Sequence, residues 1–393
     1  MTGSHTRQIV TIASAQGSRR TQTHAPLRKL IVTLADHARR RLAWHADRPG
    51  VGPRQVIVDL TDRCFFRCST CDKWKLTEAP GELTAAEWCA ALGRLRDWLG
   101  PYHLSLSGGE PLLRADVYDL IAFAHARGIS TNLMTNGWLV GADVARRLVA
   151  AGLDNLTFSL NALDAETHDR TRGMPGSHAR LVAGIALAQE ARAAAGQPMT
   201  VCLNTIVAPA TAAGLPALVR WARAQDIDAV GLQPLVDVAL YQPFTAALAP
   251  AGSVGPDDQS LWAGDPRAVA DAVTELIALK AAGFPILATE QQLHLIGAHL
   301  LDPQGTPATP CYVGVNDLLV DPYGGVRLCY AMERIGDIRA NAPAPIWHSP
   351  AAVRVRAQVR ACHRACRLLN CNYAPSLAER AGTRVRYWRR GGG

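Results

Sequence analysis

Between Gln55 and Ile286 short apolar, β-branched runs alternate with longer segments of helical period. That order leaves few folds open. Strands that alternate with helices pair in parallel through right-handed crossovers, because each helix must return over the sheet before the next strand starts in the same direction. Six strands are expected, at 55–60, 103–107, 130–134, 154–160, 201–207 and 228–233. Helix starts are marked as well. Thr84 with Glu87 three residues on makes a capping box, and Asp265 precedes Pro266 at a first helical position.

The loop after the first strand reads Asp62-Arg63-Cys64-Phe65-Phe66-Arg67-Cys68-Ser69-Thr70-Cys71-Asp72. Thiolates at this spacing can grip three irons of a cubane 4Fe-4S cluster and leave the fourth without a protein ligand. Electron-transfer clusters normally use four cysteines, so an open iron implies that a small molecule binds there and that the cluster does chemistry. A second motif, Ser107-Gly108-Gly109-Glu110-Pro111, closes the second strand, where bare glycine backbone permits a close approach. Cys-x-x-Cys pairs also bind tetrahedral zinc. Zinc ribbons, however, pair two such knuckles, and zinc would leave the Gly-Gly-Glu element without a role.

Together and in this order, the two motifs resemble the signature of the radical S-adenosylmethionine (SAM) enzymes. The resemblance implies an α/β fold with a partial (β/α)6 parallel barrel over residues 51–286, its chemistry at the C-terminal ends of the strands. It implies a SAM-binding 4Fe-4S cluster on Cys64, Cys68 and Cys71. It further implies that Gly108, Gly109 and Glu110 meet the methionine amino group of SAM, that Ser159 meets its carboxylate or ribose, that Asn204 meets the ribose hydroxyls, and that Arg172 lies near the carboxylate. Asn136, in Met134-Thr135-Asn136-Gly137, is either a further pocket residue or part of a strand-ending turn. Relatives often carry an aromatic residue just before the third cysteine. Thr70 stands there, so adenine packing is expected from elsewhere.

One lumen residue follows from strand geometry. In Val201-Cys202-Leu203-Asn204 side chains alternate faces, so if Asn204 points into the barrel then Cys202 does too. A thiol there can donate a hydrogen atom to a substrate radical, as in radical SAM epimerases, or serve as a small core hydrophobe. Cys89 is read as core.

Residues 287–380 are short in helix signal and hold five of the ten cysteines, Cys311, Cys329, Cys362, Cys366 and Cys371. Leu318 to Leu328 reads as a hairpin turning at Pro322-Tyr323-Gly324-Gly325. The spacing, with Gly336-Asp337-Ile338 and Trp347, resembles the opening half of the SPASM and twitch domains, which append auxiliary iron-sulfur clusters to radical SAM barrels. Two fully ligated clusters would take seven cysteines. Five support one auxiliary 4Fe-4S cluster, on Cys311, Cys329 and two of Cys362, Cys366 and Cys371, with Cys366 and Cys371 favoured and zinc as the alternative. The expected organisation is an arm and helix over 1–50, the barrel over 51–286, a small C-terminal iron-sulfur domain over 287–380 and a tail over 381–393.

At 393 residues and 48% hydrophobic composition the chain can bury a full core. No apolar run reaches the eighteen or so residues of a membrane span, and residues 1–23 lack the apolar core of a signal peptide. Clustered cysteines without such a signal fit metal ligation in a reducing cytoplasm. Residues 1–54 carry ten Lys or Arg and two Asp, and so hold the whole formal net charge of +8. A basic leader can bind nucleic acid, an acidic peptide or lipid, or act as a transit peptide. The reading adopted is a disordered arm with no nucleic-acid or membrane partner. Within it Leu27, Leu30, Ile31, Leu34, Ala38 and Leu42 fall at helical spacing, which places a helix docked on the barrel.

The resemblance implies an oxidoreductase that takes an electron from flavodoxin or ferredoxin, cleaves SAM to a 5'-deoxyadenosyl radical and removes hydrogen from its substrate. An auxiliary cluster that accepts a second electron points to dehydrogenation, with a small polyol or an aminosugar or aminocyclitol natural-product intermediate as the leading substrate. Ribosomal peptide maturation by cross-linking or epimerisation is the alternative. Such maturases often carry a recognition domain ahead of the barrel, where about fifty residues stand here. A non-catalytic iron-sulfur protein whose basic arm holds RNA is the third reading.

Overall fold

In the computed structural model, six parallel strands lie in chain order, each within one residue of its expected ends. They are β1 (Gln55–Thr61), β2 (His103–Gly108), β3 (Ser130–Thr135), β4 (Asn155–Ser159), β5 (Thr200–Val207) and β6 (Ala229–Pro234). The structure describes residues 25–76, 81–236, 259–303, 305, 309–370, 372–373, 375–376 and 379. Helix α1 (Ala25–His45) precedes β1. The crossovers carry α2 (Ala85–Leu99), α3 (Val117–Ala126), α4 (Ala142–Ala150), α5 (Ala165–Arg172), α6 (Ser177–Ala195) and α7 (Leu215–Ala224), and α8 (Pro266–Ala281) follows β6. Thr84 and Glu87 form the expected reciprocal cap of α2, and Asp265 accepts from the Arg267 N–H at the start of α8.

The strands have two unlike faces. Val56, Val58, Leu60, Leu104, Leu106, Leu133, Leu156, Phe158, Val201 and Leu203 are at most 1% exposed and join the core with apolar residues of the surrounding helices. Their neighbours in sequence turn inward and are mostly polar, with Ile57 and Met134 as apolar exceptions. Asn132 Nδ2 donates to Ser105 Oγ at 3.3 Å, and Thr157 Oγ1 donates to Asn132 Oδ1 at 2.7 Å. Parallel strands buried on both sides are usually apolar throughout. A hydrogen-bonded polar lining therefore marks the lumen as a place built for contact, not for packing.

The sheet does not stop at six strands. β7 (Asp317–Val320) adds in parallel to β1, and β8 (Gly325–Arg327) and β9 (Gly336–Asp337) follow antiparallel, giving a nine-stranded order β6-β5-β4-β3-β2-β1-β7-β8-β9. The expected hairpin is present, its turn held by Asp321 Oδ1, which accepts from the N–H groups of Tyr323 and Gly325. Two expectations need correction. Residues beyond 286 are not short of helix: α9 (Glu290–Leu301), α10 (Pro343–Trp347) and α11 (Pro350–Ala361) lie there. Thr289 and Ser349 cap the first and last, and Leu293, Ile296, Val355 and Val359 are their buried positions. Interspersed Gln, His and Arg masked that stripe in the sequence. The second correction concerns α1, which exists but turns Leu34, Ala38 and Leu42 to solvent, Leu42 being 73% exposed. It docks instead through Arg40, which donates to the carbonyls of Gly52 and Val315, and Trp44, which donates to that of Cys311. The side chains of Leu27, Leu30 and Ile31 lie outside the described residues, as do the arm before residue 25 and the tail. Among the described residues no helix is long and apolar enough to cross a membrane.

The α1 contact leaves a testable mark. Asp317, at the start of β7, is 2% exposed, and its Oδ2 has no hydrogen-bond partner. Burial pushes its carboxyl up to about 8, with Arg40 pulling the other way. The unfolded chain ionises this group near 3.8 and the fold only near 8, so unfolding releases a proton in between, and stability falls as pH rises through that window. Asp317→Asn is expected to match wild type in melting temperature at pH 4 and to exceed it by several degrees at pH 8. Parallel melting curves across that range would contradict the assignment.

Candidate functional site

The C-terminal ends of β1 to β4 open into a cavity of about 170 Å³. Cys64, Cys68 and Cys71 ring one side of it, and Ser107, Gly108, Gly109, Asn136, Ser159 and Arg172 supply much of the rest. Among the described residues no three His, Cys, Asp or Glu side chains converge on a single-ion site. The three thiols line the cavity instead.

Glycine explains how the cysteine loop is held. A Cβ on Gly109 would stand 2.1 Å from the Arg63 carbonyl oxygen, and one on Gly108, whose φ is +118°, would stand 2.4 Å from that of Thr61. From the other side Gly173, in the left-handed region at φ +60°, brings its α-carbon so near the Arg67 carbonyl that a Cβ would meet that oxygen at 2.1 Å. Backbone bonds fill these approaches: Gly109 N–H to Thr61 at 2.7 Å, Glu110 N–H to Arg63 at 2.9 Å and Ser69 N–H to Thr171 at 3.1 Å. The close approach that the glycines permit is to the cysteine loop itself, and Gly108 and Gly109 line the cavity as well.

The structure sorts the expected ligand residues. Gly108, Gly109, Asn136, Ser159 and Arg172 line the cavity; Glu110, Asn204 and Cys202 do not. Glu110 is fully buried and faces the scaffold, Oε1 accepting from Leu112 N–H and Thr135 Oγ1 and Oε2 from Asn136 N–H. Asn204, opposite Ser159 in the sheet, accepts from Gln233 Nε2 at 2.9 Å. Cys202 does share the lumen face with Asn204, but it lies level with Thr157, about 6.6 Å deeper along the strand. Burial pushes its thiol up to about 11, and Thr200 Oγ1 is its hydrogen-bond neighbour. It is half-buried on the lumen face and does not line the cavity.

The cavity's own groups fit a cluster and an anionic co-substrate. Burial, then a hydrogen bond from Phe66 pulling the other way, leaves the Cys64 thiol at about 11; burial and the charge of Cys68 push Cys71 up to about 12. Coordination to cationic metal deprotonates such thiols outright and removes both penalties. Arg172 Nε and Asn136 Nδ2 are buried donors without an acceptor. Donors left open beside a cavity call for oxygen-bearing groups within it. Two residues that motif reading passed over also line the cavity, Lys73 and Trp74. Trp74 Nε1 donates to the Cys68 carbonyl at 3.2 Å, which sets an aromatic ring three residues after Cys71, where the sequence search looked before it.

A second thiol group lies beyond β7. Burial and the charges of Cys366 and Cys329 push the Cys311 thiol up; burial and Cys362 do the same to Cys329. Burial and the charges of Cys329 and Cys362 take Cys366 up to about 12. Cys362 therefore stands among these thiols, although the sequence favoured Cys371 over it; Cys371 lies outside the described residues.

Residues 58–210 match the family model of the radical SAM superfamily, and residues 311–372 match that of the SPASM iron-sulfur cluster-binding domain. An AdoMet-dependent heme synthase of Methanosarcina barkeri is 37% identical over 35% of this chain and 40% of its own length. A PqqA peptide cyclase of Granulibacter bethesdensis is 32% identical over 44% of each chain. This chain thus spans less than half the length of either relative. Among solved structures, Streptococcus suis SuiB bound to its precursor peptide SuiA superposes with a TM-score of 0.59 at 15% identity, covering 88% of this chain and 75% of that one, a likeness of fold.

Proposed function

We propose, from the premise that this chain belongs to the radical SAM superfamily and to its SPASM-bearing branch, that it is an enzyme of peptide maturation. The radical SAM domain binds a 4Fe-4S cluster and SAM, and the SPASM domain binds auxiliary iron-sulfur clusters. When bound, these groups supply reductive cleavage of SAM to a 5'-deoxyadenosyl radical and an acceptor for a further electron. The residues do the rest. Cys64, Cys68 and Cys71 hold the first cluster, Arg172 and Asn136 offer their open donors to the SAM carboxylate and ribose, Ser159 adds a hydroxyl, and Trp74 gives the adenine an apolar wall. Cys311, Cys329, Cys362 and Cys366 hold the auxiliary cluster. The protein walls exclude water and stray hydrogen donors while a substrate carbon is attacked.

The similarity to PqqA peptide cyclase carries the choice of substrate class. Neither curated relative is named for a polyol or aminosugar, the substrate that the auxiliary cluster first suggested. The reductant is a low-potential donor of the flavodoxin or ferredoxin kind, and the setting a reducing cytoplasm. The test is anaerobic incubation with SAM, reductant and a synthetic peptide copied from a short reading frame beside the gene. One 5'-deoxyadenosine should form for each peptide that loses two mass units or inverts a centre. Oxidation of an aminocyclitol in the same assay, with the peptide untouched, would restore the small-molecule reading.

Arg172 gives a sharper test of the pocket. A charge-assisted hydrogen bond is worth about 1.5–3 kcal/mol, so Arg172→Ala should weaken SAM binding roughly 10- to 150-fold by calorimetry. Unchanged affinity would remove Arg172 from the site.

A further inference from the structure

Lys73 is a largely buried cation on the loop that follows β1. Its ammonium lies 2.9 Å from Asp59 Oδ2 and 2.5 Å from Asp62 Oδ1, with side-chain exposures of 14%, 4% and 6% for the three groups. Its backbone N–H donates to Cys71 Sγ at 3.4 Å, so the same residue touches a candidate ligand sulfur and lines the cavity. Asp59 is fixed from a second direction, by Tyr330, whose hydroxyl lies 3.5 Å from Asp59 Oδ1. Tyr330 directly follows Cys329. One chain of polar contacts therefore runs from the loop of the first thiol group to the residue beside the second.

We propose that the Lys73–Asp59–Asp62 cluster sets the reduction potential of the iron-sulfur cluster held by Cys64, Cys68 and Cys71. Cluster potentials follow net charge, hydrogen bonds to the sulfurs and solvent exposure, and this trio supplies fixed charge in a poorly solvated place. Reduction adds one negative charge to the cluster. The ammonium favours that step and the two carboxylates oppose it, so removing the cation leaves two uncompensated anions. Asp59→Asn does the reverse.

The inference rests on the cluster assignment and deepens it. The experiment is a redox titration of the anaerobically reconstituted full chain, followed by paramagnetic resonance, with iron and sulfide measured per chain. Lys73→Met should make reduction harder by at least tenfold in the one-electron equilibrium, which is 59 mV. Asp59→Asn should shift it the opposite way, and Lys73→Arg should stay near wild type. Should Lys73→Met fail to load iron, the Asp59→Asn arm still decides the sign, with Lys73→Arg as the charge-preserving control. Midpoints that do not move, or that move the same way for Lys73→Met and Asp59→Asn, overturn the proposal while leaving the cluster in place. Absence of iron in the wild type would sink the underlying cluster assignment instead.

Discussion

Gly109→Ala should leave a chain that binds little iron at its first site and unfolds several degrees below wild type. The added methyl would meet the Arg63 carbonyl at 2.1 Å, and that neighbour is backbone, with no flexible end to swing away. Either the cysteine loop or the end of β2 has to move. Overpacking of this kind costs about 1–3 kcal/mol, and more where nothing can yield. Gly128→Ala is the control, because Gly128 also has a positive φ, +64°, yet an added Cβ meets nothing within 4 Å. It should lose only the about 1–2 kcal/mol of left-handed strain and keep full iron content. Equal iron loss in both variants would show that backbone strain, not the close approach, governs the loop.

Glu110→Gln should be nearly as damaging, although it changes one atom. The carboxylate accepts from three donors, Leu112 N–H, Thr135 Oγ1 and Asn136 N–H, and burial raises its pKa against their pull. An amide offers one oxygen. Its NH₂ must then face at least one of those N–H groups, leaving two buried donors opposed at a cost of about 2–4 kcal/mol. Because Oε2 fixes the start of the turn that carries Asn136, SAM affinity should fall along with stability. If calorimetry shows weaker SAM binding while thermal stability is untouched, Glu110 touches the ligand after all, as the family resemblance first implied.

The parts of this molecule legible in its sequence are those written in local patterns. Apolar β-branched runs placed all six barrel strands, because a buried outer strand face admits little else, and the Thr84 and Asp265 caps are purely local hydrogen bonds. The thiol spacing was legible for the same reason, since a loop of eight residues must bring its own ends together. Direction was not. Nothing local says that Glu110 turns into the scaffold, that Cys202 lies level with Thr157 and outside the cavity lining, or that Arg40 and Trp44 and not a leucine stripe anchor α1. Those facts depend on what a distant strand presents. Lys73 was missed because its carboxylate partners, eleven and fourteen residues back, close on it only once the loop has folded.

Under the proposed function, three sulfurs of the β1 loop hold a cluster whose open iron takes SAM. The most direct test is the paramagnetic resonance spectrum of anaerobically reconstituted, reduced protein recorded before and after SAM is added. A spectrum that changes on addition, and a change that is lost in Cys68→Ala, is the expected result. A wild-type spectrum indifferent to SAM would contradict the account.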